Sequence, residues 1–233
     1  MFVCAMLLFT SSYATRLDTY FQKSDALFKK YVKSGKVNYA SLKTHIAEVD
    51  ELLKMAEVMS LGADPNPRTK AFYINTYNLI VIHDLAKRYP ISSPKAIPGF
   101  HSQKKHRVNN KYYTLDGLKA KVLSKFPDAR ICFALCDGAK GSPALASYAF
   151  KPDKLESQLD ARTKKAINDA NFVRIKPASE KVVVSEVFKK NISVFGGSKE
   201  SVLVFIKKYL KEGTTIPEAY TLDYYPFDWH INK

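Results

Sequence analysis

The stretch that decides the fold runs from Lys70 to Tyr89 and reads KAFYINTYNLIVIHDLAKRY. It is apolar on almost every side, which is typical of a helix buried within a protein. At about 100° per residue, Asn75, Asn78 and His83 share a face with aliphatic residues. Burying an amide without a partner costs about 1–3 kcal/mol, so these side chains must meet other polar groups. Two interpretations stay open: they bind the backbone of a neighbouring loop, or they line a functional cleft.

Two further helices are predicted before this stretch. Apolar residues at helical spacing predict one from Arg16 to about Val32, and the pair Ser34 and Gly35 ends it. A second helix is expected from Ser41 to about Met59. The turn GADPNP (62–67) follows, and its two prolines prevent that helix from continuing.

Hairpins and shorter helices follow the central stretch. The two asparagines of HRVNNKYYTL (106–115) predict a hairpin turn, and PASE (177–180) separates two further strand-like runs. Because helices are grouped first and strands are linked mainly by hairpins, we predict an α+β fold, with N-terminal helices packed on a mainly antiparallel sheet in a single domain. The other expected elements are helices at 115–125, 152–168 and 200–211, the first and last capped by Thr114 and Ser198, and strands at 130–135 and 219–225.

Composition places the chain among folded proteins. It has 233 residues, of which 46% are hydrophobic, and a net charge of +15 at pH 7. Most of the basic residues are dispersed lysines, which predict a solvated surface or weak contact with anionic envelope polymers or lipid headgroups. Nucleic-acid readers combine arginine forks with exposed aromatic residues on one patch, so no specific nucleic-acid partner is expected.

The first fourteen residues, MFVCAMLLFTSSYA, resemble a secretory signal peptide. They carry no charge, contain an apolar run from Phe2 to Phe9, and end in small residues before a cleavage point after Ala14. The basic region that usually opens a signal peptide is missing, so the alternative is a turn of N-terminal helix. The run is far shorter than the roughly 20 residues of a membrane span. A secreted or periplasmic protein is predicted, divided into a signal peptide (1–14), an N-terminal helical segment (15–66) and an α+β core (67–233).

The segment ICFALCDGAKGSPAL (131–145) is the main candidate for a site. A strand-like run is followed by a glycine-rich loop that contains Asp137 and Ser142. In an extended strand Cys132 and Cys136 would lie about 13 Å apart, too far for a disulfide, so both are expected to be free thiols. The loop could be an active site, the remnant of one, or a tight structural corner.

Three phrases in order resemble the Domain of Unknown Function 547 (DUF547) family, from about Arg68 to the C-terminus. AFYINTYNLIVIH is similar to A-F-W-I-N-x-Y-N-x-x-x-x-H, FALCDGAKGSP to H-F-A-L-x-C-G-A-x-S-C-P, and FDWHIN to Y-D-W-S-L-N. The resemblance implies a fold family and names no chemistry. The residues that carry it are Asn75, Tyr77, Asn78, His83, Gly138, Ala139, Lys140, Pro143, Asp228 and Trp229.

The departures from this pattern fall at reactive residue types. Cys132 stands where the family has a histidine, Asp137 and Ser142 replace its two loop cysteines, and Lys119 replaces a glutamate. If the family loop works through thiols, this chain has lost both. The remaining thiol, Cys136, lies one position early, which on a strand would turn it to the other face.

We therefore predict a binding protein or degenerate enzyme with a polar cleft. The alternative is a hydrolase or acyltransferase in which Ser142 is the nucleophile and His83 the base, with an asparagine or Asp137 orienting the ring. In that case loop N–H groups at the glycines would form an oxyanion hole. The expected binding residues are Asn75, Asn78, Gly138, Lys140, Asp228 and Trp229.

No cofactor or metal is expected from the sequence. The available ligand types do not follow any of the spacings that bind zinc, and no glycine-rich phosphate-binding loop follows a strand. The residues of metal-ligand type near the matched phrases are Asp137, His83, Asp228, His230 and Cys136. The ligand of the cleft is therefore unknown at this level.

Overall fold

The computed structural model describes residues 3–62 and 64–233, without the side chains of 3–15 and Leu123. The helices in this part of the chain are α1 (Val3–Tyr31), α2 (Tyr39–Thr44), α3 (Ala47–Glu57), α4 (Pro67–Arg88), α5 (Leu115–Lys125), α6 (Leu155–Ile167), α7 (Glu186–Lys190) and α8 (Lys199–Tyr209). The strands are β1 (Val32–Lys33), β2 (Lys36–Val37), β3 (His106–Val108), β4 (Lys111–Tyr113), β5 (Val173–Lys176), β6 (Lys181–Ser185) and β7 (Thr221–Tyr225). The predicted α+β class is confirmed.

Helix α4 lies at the centre of the molecule. Its start is set by Asn66 and Thr69, whose side chains each accept the backbone N–H of the other residue, and by Pro67 in the first turn. Every residue from Ala71 to Ala86 is buried. The prediction of a helix enclosed on almost all sides is therefore confirmed.

The N-terminal helices pack on α4. Tyr20 of α1 forms a 2.7 Å hydrogen bond with the hydroxyl of Thr76, and its ring centre lies 5.2 Å from that of Phe72. Leu42 of α2 and Leu52 of α3 belong to the same apolar cluster. One detail of the predicted arrangement is thus different, because these helices cover the central helix and not a sheet. We call this cluster, which also includes residues of α5 and the start of α6, the first cluster.

The C-terminal half forms a second cluster around a three-stranded sheet. Strands β5 and β6 form the predicted antiparallel hairpin, whereas β7 pairs with β6 in parallel, with Val183 opposite Asp223. The chain between β6 and β7 contains α7 and α8, which cover the sheet. Aromatic rings fill this second cluster, and the ring centres of Phe188 and Phe195 lie 5.2 Å apart.

The predicted strand at 130–135 is wrong. Residues Ala129–Phe133 form a short 3₁₀ helix, which Asp128 caps by accepting the N–H of Arg130 at 3.1 Å. Its apolar run is buried between the two clusters, and burial makes a short helix and a strand look alike in sequence. Cys132 and Cys136 are free, as predicted, although the distance argument for an extended strand does not apply.

Helix α1 begins earlier than expected. Its backbone is helical from Val3, not from Arg16, so it continues through the predicted cleavage point after Ala14. Met1 and Phe2 lie outside the described residues, as do the side chains of 3–15, so the signal peptide stays a prediction. Within the described residues, no helix combines the length and the apolar character that a membrane crossing requires.

The burial of α4 can be tested with one substitution at two places. Val81 of α4 is fully buried, whereas Val204 of α8 is 70% exposed. We expect Val81→Ala to lower the free energy of unfolding by about 2 kcal/mol, because two buried methyl groups are lost. Val204→Ala should change it by less than about 0.5 kcal/mol. Urea unfolding measures both values, and equal losses would contradict the central position of α4.

Candidate functional site

The glycine loop, residues 137–142, folds against one face of α4. Gly138 has φ +77°, and a Cβ there would collide with Leu85. Gly141 lies so close to the C-terminal segment that a Cβ would come within 2.5 Å of the backbone nitrogen of Asp228. The loop therefore fits between α4 and the segment 227–232 only because these two positions lack side chains.

The two amides of α4 bind loop backbone. Asn78 donates to the carbonyl of Ala134 at 2.8 Å and accepts the N–H of Cys136 at 2.9 Å. Asn75 makes the same pair of bonds with the backbone of Phe150, at 2.8 and 2.9 Å. Each amide both donates to and accepts from backbone, and together the two amides hold two chain segments against the helix. The first of the two interpretations describes them, and they do not face an open cleft.

His83 lies away from the glycine loop. Its ring nitrogens contact Asp50 of α3 at 2.8 Å and Asp84 at 3.0 Å. The loop packs on Leu85, which is two residues and about 200° further along the helix, so the two side chains point to nearly opposite sides. The predicted pairing of His83 with Ser142 needs correction, because His83 faces α3 while the glycine loop packs on another side of α4.

Ser142 also lacks the setting of a nucleophile. It is buried, its hydroxyl donates to the carbonyl of Ala139 at 2.5 Å, and its oxygen lies 3.5 Å from the sulfur of Cys136. The backbone N–H groups of Lys140 and Gly141 donate to the carbonyls of His230 and Asp228. Of the predicted oxyanion-hole donors, the Gly141 N–H therefore holds the C-terminal segment, and the Gly138 N–H acts on the buried Cys136 thiol, so the two do not converge on the Ser142 hydroxyl.

Asp137 is the centre of a buried polar group that we call the aspartate cluster. The hydroxyl of Tyr77 donates to its carboxylate at 2.5 Å, and the ammonium of Lys119 lies 3.4 Å from both carboxylate oxygens. Burial alone would raise the pKa of Asp137, but Lys119 and Tyr77 outweigh it and hold that pKa below its usual value. Burial alone would lower the pKa of Lys119, but the nearby acidic groups, Asp137 foremost, together outweigh it and raise that pKa. The cluster is an ion pair with both members charged.

The three departures that involve charge or acid–base chemistry meet in this cluster. Lys119 and Asp137 are in contact, and both lie near enough to Cys132 to act on its ionisation. Burial raises the pKa of the Cys132 thiol to about 12. These three positions, which are glutamate, histidine and cysteine in the resembled pattern, are thus neighbours in space.

His101 and Trp229 border the aspartate cluster. Burial lowers the pKa of His101, which Asp137 opposes, and its ring centre lies 5.9 Å from that of Trp229. Lys95 and Lys190 lie over the Trp229 ring at 4.5 and 4.4 Å. Sequence reasoning missed His101 and Lys190, since neither belongs to a matched phrase. Tyr77 was marked only by the resemblance.

The outer side of the glycine loop borders an open groove of about 500 Å³, which we call the loop groove. Three of the predicted site residues lie along it, namely Lys140, Ser142 and Asp228. The others do not: Asn75, Asn78, His83, Asp137, Gly138 and Trp229. The β1–β2 turn forms one wall, and residues of β5 and β7 form the other. The polar cleft predicted from sequence thus divides into a buried cluster inside the loop and a groove outside it.

Metal ligands do not come together in the described residues. No group of three histidine, cysteine, aspartate or glutamate side chains in this part of the chain could hold an ion. Asp228 and His230, two of the ligand types considered, contact each other at 2.6 Å. The other three considered, Asp137, His83 and Cys136, have the separate surroundings described above.

Comparison with known proteins identifies a family for part of the chain. Residues 64–167 match the family model described as Protein of unknown function, DUF547. The matched segment includes α4, Lys119 and the whole glycine loop, and it confirms the resemblance read from the sequence. The phrase at 227–232 lies after its end. No curated protein and no solved structure matches the chain.

The aspartate cluster predicts a large effect when one charge is removed. Lys119→Met leaves a buried carboxylate without its cation, and we expect a loss of about 3 kcal/mol in the free energy of unfolding at pH 7. The double variant Lys119→Met/Asp137→Asn should lose less, because no unpaired charge remains and the amide oxygen still accepts from Tyr77. Urea unfolding of both variants measures this difference.

The same pair gives a defined pH dependence. The folded pKa of Asp137 is depressed, so its stabilising contribution is present above the ordinary carboxyl pKa and is lost as pH falls through the folded value. In Lys119→Met, burial raises that pKa, so the deficit should be full at pH 7 and shrink as pH falls towards about 4. A deficit that stays constant over this range would contradict the ion pair.

Proposed function

Because this chain carries a domain of the DUF547 family, we propose that it is a degenerate member that binds a ligand without covalent chemistry. The ligand lies in the loop groove, beside the glycine loop. The observation that carries the proposal is the aspartate cluster, in which Lys119 and Asp137 form an ion pair at positions where the resembled pattern has glutamate and cysteine.

The state of each loop nucleophile supports a binding role. A thiol attacks as its thiolate, and burial raises the pKa of both Cys132 and Cys136. Ser142 needs a base to accept its proton, and its hydroxyl donates instead to a backbone carbonyl. Asp137 is a carboxylate whose oxygens already accept from Tyr77 and Lys119. None of these four groups is both reachable and activated.

The position of the loop groove supports it as the binding place. It lies where residues of the first cluster, through the β1–β2 turn, face residues of the second cluster, on β5 and β7. Small-molecule sites favour such seams between packed units and have volumes of about 300–1,000 Å³. Asn232, which is buried at the inner edge of the groove, is held by the hydroxyl of Tyr39 at 2.7 Å.

Export from the cytoplasm is part of the proposal. It rests on the uncharged segment 1–14, with its apolar run and small residues before the cleavage point. The excess of lysine, in a chain of net charge +15, supports weak contact with anionic envelope polymers or lipid headgroups. Because those lysines are dispersed in the sequence, we propose no specific nucleic-acid partner.

A binding role predicts that the native protein stays unlabelled by reagents for active nucleophiles. At pH 7 we expect neither a fluorophosphonate to label Ser142 nor iodoacetamide to label Cys132 or Cys136 within the time that labels a small free thiol. In urea both cysteines should react with iodoacetamide, which controls for the reagent. Peptide mass spectrometry locates any adduct.

Assays of enzymatic turnover test the alternative, a hydrolase or acyltransferase that uses Ser142. Esters, amides and acyl donors are incubated with wild type and with Ser142→Ala, and products are measured by mass spectrometry. The binding proposal expects no product above the buffer control from either protein. Product formed by wild type and lost in Ser142→Ala would overturn it in favour of the serine hydrolase alternative.

Export predicts a mature protein that begins at Thr15. Expressed with its own N-terminal segment in a secreting bacterial host, the exported chain should show the intact mass of residues 15–233. Ala14→Arg should prevent cleavage, because the position before the cut must be small. Full-length wild-type protein found only in the cytoplasm would contradict this part of the proposal.

A further inference from the structure

The loop groove contains an arginine that is held in place and has free donors. The guanidinium of Arg174, on β5, lies 4.1 Å from the ring centre of Tyr225, and its Nε donates to the carbonyl of Ala170 at 2.8 Å. The Tyr225 hydroxyl in turn donates to the carbonyl of Asn171. Among the described residues, the terminal nitrogens of Arg174 have no hydrogen-bond or ion-pair partner. Its planar fork is therefore oriented in advance and open to a ligand.

Two lysines lie along the same groove. Lys36 lies on β2, directly after the β1–β2 turn. This turn packs tightly against Ala144, because a Cβ at Gly35 would lie 2.5 Å from the Ala144 Cβ. Lys140 belongs to the glycine loop, and its N–H donates to His230 at 2.7 Å. Neither ammonium lies within ion-pair distance of a carboxylate in the described segments, although the charge of Lys140 helps to lower the pKa of Asp228. The backbones that carry both charges are held in place, and no close acidic partner neutralises either charge.

The acidic side chains of the groove are already engaged. Asp228 accepts from both the backbone N–H and the ring of His230, at 2.9 and 2.6 Å. Asp169 accepts the N–H of Asn171 at 2.8 Å. The groove is therefore lined by two acidic side chains and by four basic ones, Lys36, Lys140, Arg174 and Lys233. The groove carries an excess of positive charge.

We propose that the loop groove recognises an oxyanion, a phosphate or carboxylate group, and that Arg174 binds it with two parallel hydrogen bonds. This inference rests on the proposed binding role and adds the chemical class of the ligand. A fixed guanidinium matches the two oxygens of either group, and charge-assisted bonds of this type are about twice as strong as neutral ones. Lys36 on the opposite wall and Lys140 in the glycine loop add attraction.

Titration with inorganic phosphate, acetate and glutarate tests the inference on the full chain. Binding is followed by NMR of backbone amides and of the Arg174 Nε–H, at constant ionic strength adjusted with chloride. We expect saturable shifts that include β5, the β1–β2 turn and the glycine loop. The phosphate and carboxylate arms distinguish which oxyanion the groove prefers.

Three variants identify the role of Arg174. Arg174→Gln should weaken binding about tenfold or more, since about 1.4 kcal/mol corresponds to a factor of ten and a bidentate charged pair exceeds that. Arg174→Lys keeps the charge but loses the fork, so an intermediate loss is expected. Arg107→Gln, on β3 and away from the groove, removes the same charge and should change the affinity by less than about twofold. Unchanged circular dichroism controls for folding.

The outcomes separate this inference from the binding role. The oxyanion site would be overturned if Arg174→Gln and Arg107→Gln lost the same affinity for the anion. It would also be overturned if the NMR shifts were spread over lysines throughout the protein surface. If uncharged sugars or amines shift the groove resonances and the oxyanions do not, the ligand class is wrong and the binding role survives. If turnover depends on Ser142, the binding role itself fails.

Discussion

One constraint organises this molecule: helix α4 is enclosed along almost its whole length, so each polar side chain on it must find a partner inside the protein. Asn75 and Asn78 bind the backbone of two later segments, and Tyr77 donates to Asp137. On another side, the buried carboxylate of Asp84 contacts His83, Lys104 and His106. Each bond specifies which segment lies against which side of the helix, because an unpaired group there would cost about as much as a hydrogen bond contributes.

Much of the local structure could be predicted from the sequence, because its signals are local. The burial of α4, the hairpin at Asn109 and Asn110, and the N-caps Thr114 and Ser198 all follow from composition or from turn and cap chemistry. The incorrect predictions concern features that depend on tertiary contacts. The run at 130–135 forms a 3₁₀ helix because Asp128 caps it and the surrounding clusters bury it, and β7 pairs in parallel because α7 and α8 place it beside β6.

At the candidate site, too, the segments involved could be predicted from the sequence, but the contacts between their side chains could not. The resemblance marked the segments that meet, and the glycine loop does pack on α4. The resemblance could not show that His83 faces a different side of the helix. Asn78 and His83 are about 140° apart around the helix axis, which is wide enough for them to contact different neighbours. Nor could the resemblance show that Lys119 and Asp137 compensate each other. Either residue alone would be an unpaired buried charge, and only their contact explains why the chain tolerates both.

The loop groove lies along the seam between the two apolar clusters, with Lys36 contributed from one side and Arg174 from the other. A single anion held by both would act as a cross-link between halves of the molecule that otherwise have separate cores. Opening of that seam would then require release of the anion, so occupancy would slow local unfolding and amide hydrogen exchange in β5 and β7 well away from the bound group. In such an arrangement the bound anion would determine how cooperatively the two halves unfold.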